Sequence, residues 1–126
     1  MERNINQGYH PKAAEFISGY HSSVIAEVSE AVQNNAVTVV GMAQNPVVKK
    51  ARKILKEQGI DYKYLEYGSY FSAWKPRLMI KIWSGWPTFP QIFVQGKCLG
   101  GFNDLNAAIE DGSFEQLLAT QRSDHE

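Results

Sequence analysis

The stretch "GMAQNPVVKKARKIL", residues 41–55, runs from a hydrophobic strand through a turn into a basic helix. Many α/β proteins place a reactive group at such a junction. Here it carries Asn45 and Pro46. An asparagine amide offers no nucleophile at neutral pH. Its oxygen can instead accept hydrogen bonds from the second or third amide of a helix. Pro46 fits a first helical position, where no donor is needed. The pair therefore reads as a capped helix start or as a polar contact to a ligand, and not as a catalytic pair.

Other reactive side chains are few. The one cysteine, Cys98, excludes an intrachain disulfide framework or a zinc cluster. It alternates with Lys97 and Leu99 on a strand, which reads as a small buried hydrophobe. If exposed with a depressed pKa, it would instead suit glutathionylation or an intermolecular disulfide. His10, His21 and His125 show no ligand spacing, and no metal site is expected. Arg77 and Lys81 are four residues apart and share one helical face, as a binding pair or a solvated basic face. Trp74, Trp83 and Trp86 are either core packing or an exposed cluster marking a protein interface.

These groups must be held by an alternating set of elements. "SSVIAEVSEAVQNN" puts Val24, Val28 and Val32 on one helical face, with Ser22 and Ser23 offering the N-cap. "AVTVVGMA" predicts a buried strand near residues 36–41. Val47, Ala51 and Leu55 then stripe a helix that Gly59 ends. "DYKYLEY" alternates as a second strand, and the strand–helix–strand length implies a parallel crossover. Pro76 suits the first turn of a third helix, striped by Leu78, Ile82 and Met79. "PQIFVQGKCLGG" predicts an antiparallel hairpin. "FNDLNAAIEDGSFEQLL" predicts two short helices split at Asp111–Gly112, with Asn103 and Ser113 as N-caps. Helix, strand, helix, strand, helix, hairpin, helix is the layout of a thioredoxin-like α/β fold. It implies a mixed four-stranded sheet with helices on both faces. The expected organisation is an extra N-terminal segment over 1–21, the domain over 22–120 and a frayed, flexible tail over 121–126.

Bulk properties narrow the class. At 126 residues, 44% hydrophobic and 21% charged, the chain suits one compact domain. Thirteen basic residues balance thirteen acidic ones, which gives no argument for nucleic acid or an anionic membrane as partner. Apolar runs are too short for a transmembrane helix, and the N-terminus has no signal-peptide core. A cytoplasmic location is the expectation.

"WPTFPQIFVQGKCLGGFNDL", residues 86–105, resembles the glutaredoxin family, and its monothiol branch in particular. That branch shows a Trp-Pro-Thr-x-Pro-Gln strand start and a Gly-Gly-x-x-Asp helix start. Here these are Trp86 to Gln91 and Gly100 to Asp104. "NPVVKKARKIL" resembles the family's active-site helix, matching at Pro46, Lys50, Ala51 and Leu55. The departure falls at the chemistry. The family's nucleophilic cysteine aligns with Asn45 and its second cysteine with Val48.

The resemblance implies a cis-proline at Phe89–Pro90 and a glutathione-binding cleft. Thr88, Phe89 and Pro90 would meet the peptide part of glutathione. Gly101, Phe102, Asn103 and Asp104 would hold the γ-glutamyl end, and Arg77 and Lys81 would meet the glycyl carboxylate. Thiol–disulfide exchange needs a thiolate, so the expected function is binding of glutathione or a similar peptide without exchange. No iron–sulfur cluster is expected, because the protein's own cysteine ligand is missing. Two alternatives stay open: a protein-interaction module with a vestigial cleft, and weak thiol oxidoreductase activity through Cys98.

Overall fold

A computed structural model describes residues 11–120, with side chains from residue 23 onward. Within it, five helices and four strands follow one another. They are α1 (Pro11–Asn34), β1 (Val37–Gly41), α2 (Pro46–Glu57), β2 (Lys63–Glu66) and α3 (Trp74–Ser84). Then come β3 (Gln91–Val94), β4 (Lys97–Gly100), α4 (Phe102–Glu110) and α5 (Ser113–Ala119).

The strands form one mixed sheet in the order β2-β1-β3-β4. β1 is buried throughout, as its β-branched run requires. It pairs parallel with β2, Val39 opposite Tyr64, and antiparallel with β3, Val39 opposite Ile92. The antiparallel β3–β4 hairpin turns at Gln95 and Gly96, both at positive φ. Strand alternation sends side chains to two cores. Val39, Ile92, Leu55 and Leu105 fill the face covered by α2, α4 and α5. Val40, Phe93, Val28 and Ile80 fill the face covered by α1 and α3. Thr38 is buried and donates its hydroxyl to Ala31 O at 3.1 Å, tying β1 to α1.

Gly41 lets α2 begin close to the sheet. A side-chain carbon there would lie 2.7 Å from Val48 Cγ1 and 3.1 Å from the Tyr64 ring.

Several local expectations are corrected. α1 begins at Pro11, so Ser22 and Ser23 lie inside the helix rather than at its N-cap. Proline is tolerated at a helix start, and Val24, Val28 and Val32 are buried. Val48, not Val47, joins Ala51 and Leu55 beneath α2, while Val47 is exposed. α3 begins at Trp74, two residues before Pro76. Its buried residues are Pro76, Arg77 and Ile80; Leu78 is 41% exposed and Ile82 64%. α4 is capped at Gly101 rather than Asn103, and α5 at Gly112 rather than Ser113. Residues 1–10 and 121–126, with the expectations for His10, His125 and the tail, lie outside the described residues; the His21 side chain does too.

Candidate functional site

The β1–α2 junction is built around Asn45. It sits in an extended conformation (φ −102°, ψ 117°), the geometry of an N-cap. Its Oδ1 accepts from Val47 N at 2.9 Å and Val48 N at 3.0 Å. Lys49 N closes the first helical bond to Asn45 O at 3.1 Å. The side-chain amide faces outward to Tyr70, donating from Nδ2 to its hydroxyl at 3.4 Å. Only 7% of Asn45 is exposed. The free amides of the helix start, which would face an anion, are therefore occupied by the residue's own oxygen.

The loop between β2 and α3 closes over this junction. Tyr67 N donates to Gly41 O at 2.9 Å and Ala43 N to Gly68 O at 2.7 Å. Arg77 fixes its far side. The guanidinium Nη1 donates to Tyr67 O at 3.0 Å and Ser72 O at 2.7 Å, and the residue is only 9% exposed. A basic residue read as half of an open binding face is thus a buried brace for the loop. Its partner Lys81 is half-buried, its Nζ 5.8 Å from the Phe89 ring centroid. Burial, reinforced by the hydroxyl's donation to Glu27, pushes the Tyr67 phenol well above the ordinary tyrosine range.

A second wall comes from the β3 start. The Phe89–Pro90 bond is cis and Pro90 is buried. Gln91 Nε2 donates to Trp86 O at 2.9 Å, holding the turn from Trp86 to Pro90. Trp86 Nε1 and Gln91 Oε1 are buried without a hydrogen-bond partner among the described residues. Thr88 is exposed and Phe89 half-buried.

The third wall is the α4 start. Gly100 sits at φ +130°, where a side-chain carbon would lie 2.4 Å from Asp104 Oδ2. That space lets the carboxylate reach back and accept from Gly101 N at 3.0 Å, half of a capping box. A side-chain carbon on Gly101 would stand 3.4 Å from Trp86 Nε1 and 3.7 Å from Pro90 O. Trp86, Pro90 and Gly101 are therefore neighbours despite their separation in the chain. Lys50 lies 6.0 Å from the Phe102 ring and joins α2 to α4. Asn103 and Asp104 are exposed. Tyr70 was not legible as a site residue: it meets Asn45 across 25 positions, with no local pattern to announce it. Lys50 carried a signal in its match to the family helix.

Cys98 lies elsewhere. It is exposed on the edge strand β4, opposite Phe93 in the ladder, which corrects the expectation of a buried thiol. An edge strand lacks a neighbour to cover it. Desolvation of the sulfur pushes the thiol above its ordinary value and the Asp104 charge adds to this, against an opposing backbone hydrogen bond at Gly100. The thiol lines a cavity of about 290 Å³ with Val32, Trp83 and Phe93. Among the described residues, no three His, Cys, Asp or Glu side chains gather as a group that could hold a metal ion. No helix there is long and apolar enough to cross a membrane.

A sequence model described as glutaredoxin matches residues 37–99, which contain α2, β3 and most of the β3–β4 hairpin. A glutaredoxin-like protein of Dictyostelium discoideum is 54% identical over 101 residues, 80% of this chain and 82% of that protein. The chain belongs to the glutaredoxin family. Monothiol glutaredoxin-4 of Schizosaccharomyces pombe is 31% identical over 81 residues, covering 62% of this chain and 32% of that protein. Among solved structures, the buckwheat glutaredoxin–glutathione complex superimposes with a TM-score of 0.71. It does so at 19% identity over 79% of this chain and 91% of that one, and this likeness speaks to the glutaredoxin fold.

Proposed function

We infer that this glutaredoxin binds glutathione, or a peptide with similar ends, without thiol–disulfide exchange. The observation that carries the reading is Asn45. It stands at the position where the family carries its nucleophile, and its own oxygen takes the Val47 and Val48 amides that would stabilise a thiolate. An amide there cannot attack a disulfide.

Ligand binding rests on the neighbouring walls. Thr88, Phe89 and Pro90 supply backbone for the peptide part, and Gly101 to Asp104 supply amides and a carboxylate for the γ-glutamyl end. Lys81 offers its charge to the glycyl carboxylate. Arg77 contributes by holding the loop, and any direct contact with ligand is secondary to that. An iron–sulfur cluster does not fit, since the α2 start offers amide oxygen where a thiolate ligand is required. The Trp86-to-Gln91 and Gly100-to-Asp104 motifs favour kinship with the monothiol branch. Cytoplasmic residence accords with this reading.

Titration of amide NMR shifts with reduced glutathione tests binding. Perturbation centred on Thr88 to Gln91, omitting the prolines, and on Gly101 to Asp104 is expected. No shift at millimolar ligand would leave the cleft vestigial. Exchange is tested separately. Glutathione-dependent disulfide reduction that survives Cys98→Ser would overturn the inactivity. The raised Cys98 pKa argues against activity through that thiol.

A further inference from the structure

The Asn45 amide is engaged at both ends. Its Oδ1 takes the Val47 and Val48 amides, and its Nδ2 donates one hydrogen to the Tyr70 hydroxyl at 3.4 Å. An amide nitrogen carries two hydrogens, and a phenol carries one of its own. Among the described residues, the second Nδ2 hydrogen and the Tyr70 hydroxyl proton have no acceptor. Two donors therefore stand side by side, one on a residue 7% exposed and the other on a residue 59% exposed. Heavy atoms 3.4 Å apart can both lie about 2.8–3.0 Å from a single oxygen.

The setting strengthens these donors. Hydrogen bonds in a chain polarise one another, so accepting two helix amides at Oδ1 makes Nδ2 the better donor. Asn45 in effect carries the positive end of α2 outward by one amide group. Carboxylates on the surrounding elements are turned to other donors: Glu27 to Tyr67, Glu66 to Tyr64 and Asp104 to Gly101 N. Arg77 ties the loop at Tyr67 O and Ser72 O, on either side of Tyr70, and so keeps the hydroxyl in reach of Asn45.

We propose that the cleft selects a γ-glutamyl tripeptide whose central side chain carries an anionic oxygen, held by Asn45 Nδ2 and the Tyr70 hydroxyl. This selection rests on the glutathione-type cleft inferred above. Exchange passes through a bond between the nucleophile and the ligand's sulfur. Asn45 stands in the nucleophile's place, so a ligand seated in that cleft turns its central side chain toward it. A thiol is neutral at pH 7 and a weak acceptor, and it leaves both donors unmet. The oxygens of a sulfinate or sulfonate accept well, and charge-assisted bonds are about twice as strong as neutral ones. Aspartate in the central position offers the same chemistry.

Calorimetric titration of the full chain at pH 7 tests this with reduced glutathione, S-methylglutathione, glutathione sulfonate and γ-glutamyl-aspartyl-glycine. The sulfonate is expected to bind at least about tenfold tighter than glutathione, and S-methylglutathione no tighter than glutathione. Tyr70→Phe is expected to cut the sulfonate-to-glutathione ratio to about threefold. Asn45→Asp keeps the N-cap oxygen but turns a carboxylate toward the ligand, and it is expected to bring the ratio below one. Circular dichroism checks that both variants fold, and the wild-type ratio needs neither. Equal affinity for glutathione and the two anionic peptides overturns the selection while glutathione binding stands. A ratio that neither substitution moves also overturns it. Absence of binding by every tripeptide at millimolar concentration overturns the glutathione-type cleft itself. Tight binding of the sulfonate alone assigns the site to oxidised glutathione; matching affinity for the aspartyl peptide assigns it to acidic γ-glutamyl peptides in general.

Discussion

If the α2 start has the electrostatics of a thiol site, a thiol placed there becomes reactive. The perturbation is Asn45→Cys in a Cys98→Ser background, so that one thiol is present. A thiolate at this position would face the Val47 and Val48 amides, which now lie 2.9 and 3.0 Å from Asn45 Oδ1. A helix N-terminus in a partly buried setting is worth up to about 2 kcal/mol to an anion. With 1.36 kcal/mol per unit, that lowers a free cysteine pKa of about 8.5 to about 7. The thiolate fraction at pH 7 then rises from about 3% to about 50%. Intrinsic nucleophilicity falls as the pKa falls, by about fivefold for this shift. The net expectation is alkylation by iodoacetamide about threefold faster than free cysteine at pH 7, with its midpoint near pH 7. Stability supplies a second readout. The folded pKa is depressed, so the contribution is present above the unfolded value and is lost as pH falls through the folded one. Near pH 6 the thiol is neutral and the lost cap costs about 1 kcal/mol. Near pH 9 the thiolate offsets that loss. An alkylation midpoint at or above that of free cysteine would refute the reasoning, because the amides would not be reaching the sulfur.

Other substitutions probe the frame. Gly100→Ala drives a carbon into the Asp104 carboxylate at a positive φ; a loss of about 1–3 kcal/mol in urea unfolding is expected, and an unchanged midpoint would mean the capping box is dispensable. Arg77→Ala removes the guanidinium donor to Tyr67 O and Ser72 O, leaving Ser72 O with Ser69 N at 3.3 Å. A destabilisation of about 2–4 kcal/mol is expected, with faster amide exchange over residues 67–73, whereas exchange raised evenly along the chain would contradict a local brace. Native Cys98 should be alkylated more slowly than free cysteine at pH 8, with a midpoint displaced upward, because desolvation disfavours its thiolate. A midpoint below that of free cysteine would reopen it as a redox group.

What could be read from sequence was local. Asn45 caps through amides two and three residues on, and Pro46 presets the first turn, so the junction needed only its own residues. The β-branched run of β1, the Gln95-Gly96 hairpin and the Val24–Val28–Val32 stripe are short-range patterns too. Together with the two family motifs they determined the thioredoxin-like fold and its sheet. Side-chain fate at longer range was decided by tertiary packing. Apolar spacing on α3 admits more than one buried face. Contact with α1 selected Ile80 and left Leu78 and Ile82 outside. Arg77 and Lys81 share a spacing, yet one is enclosed by carbonyls five and ten positions away while the other lies near Phe89. Cys98 alternates as a buried residue would, but β4 is the sheet edge and strand order is not written in the alternation. Sequence fixes which conformations are cheap for each short segment; which faces meet depends on how all the segments enclose one core.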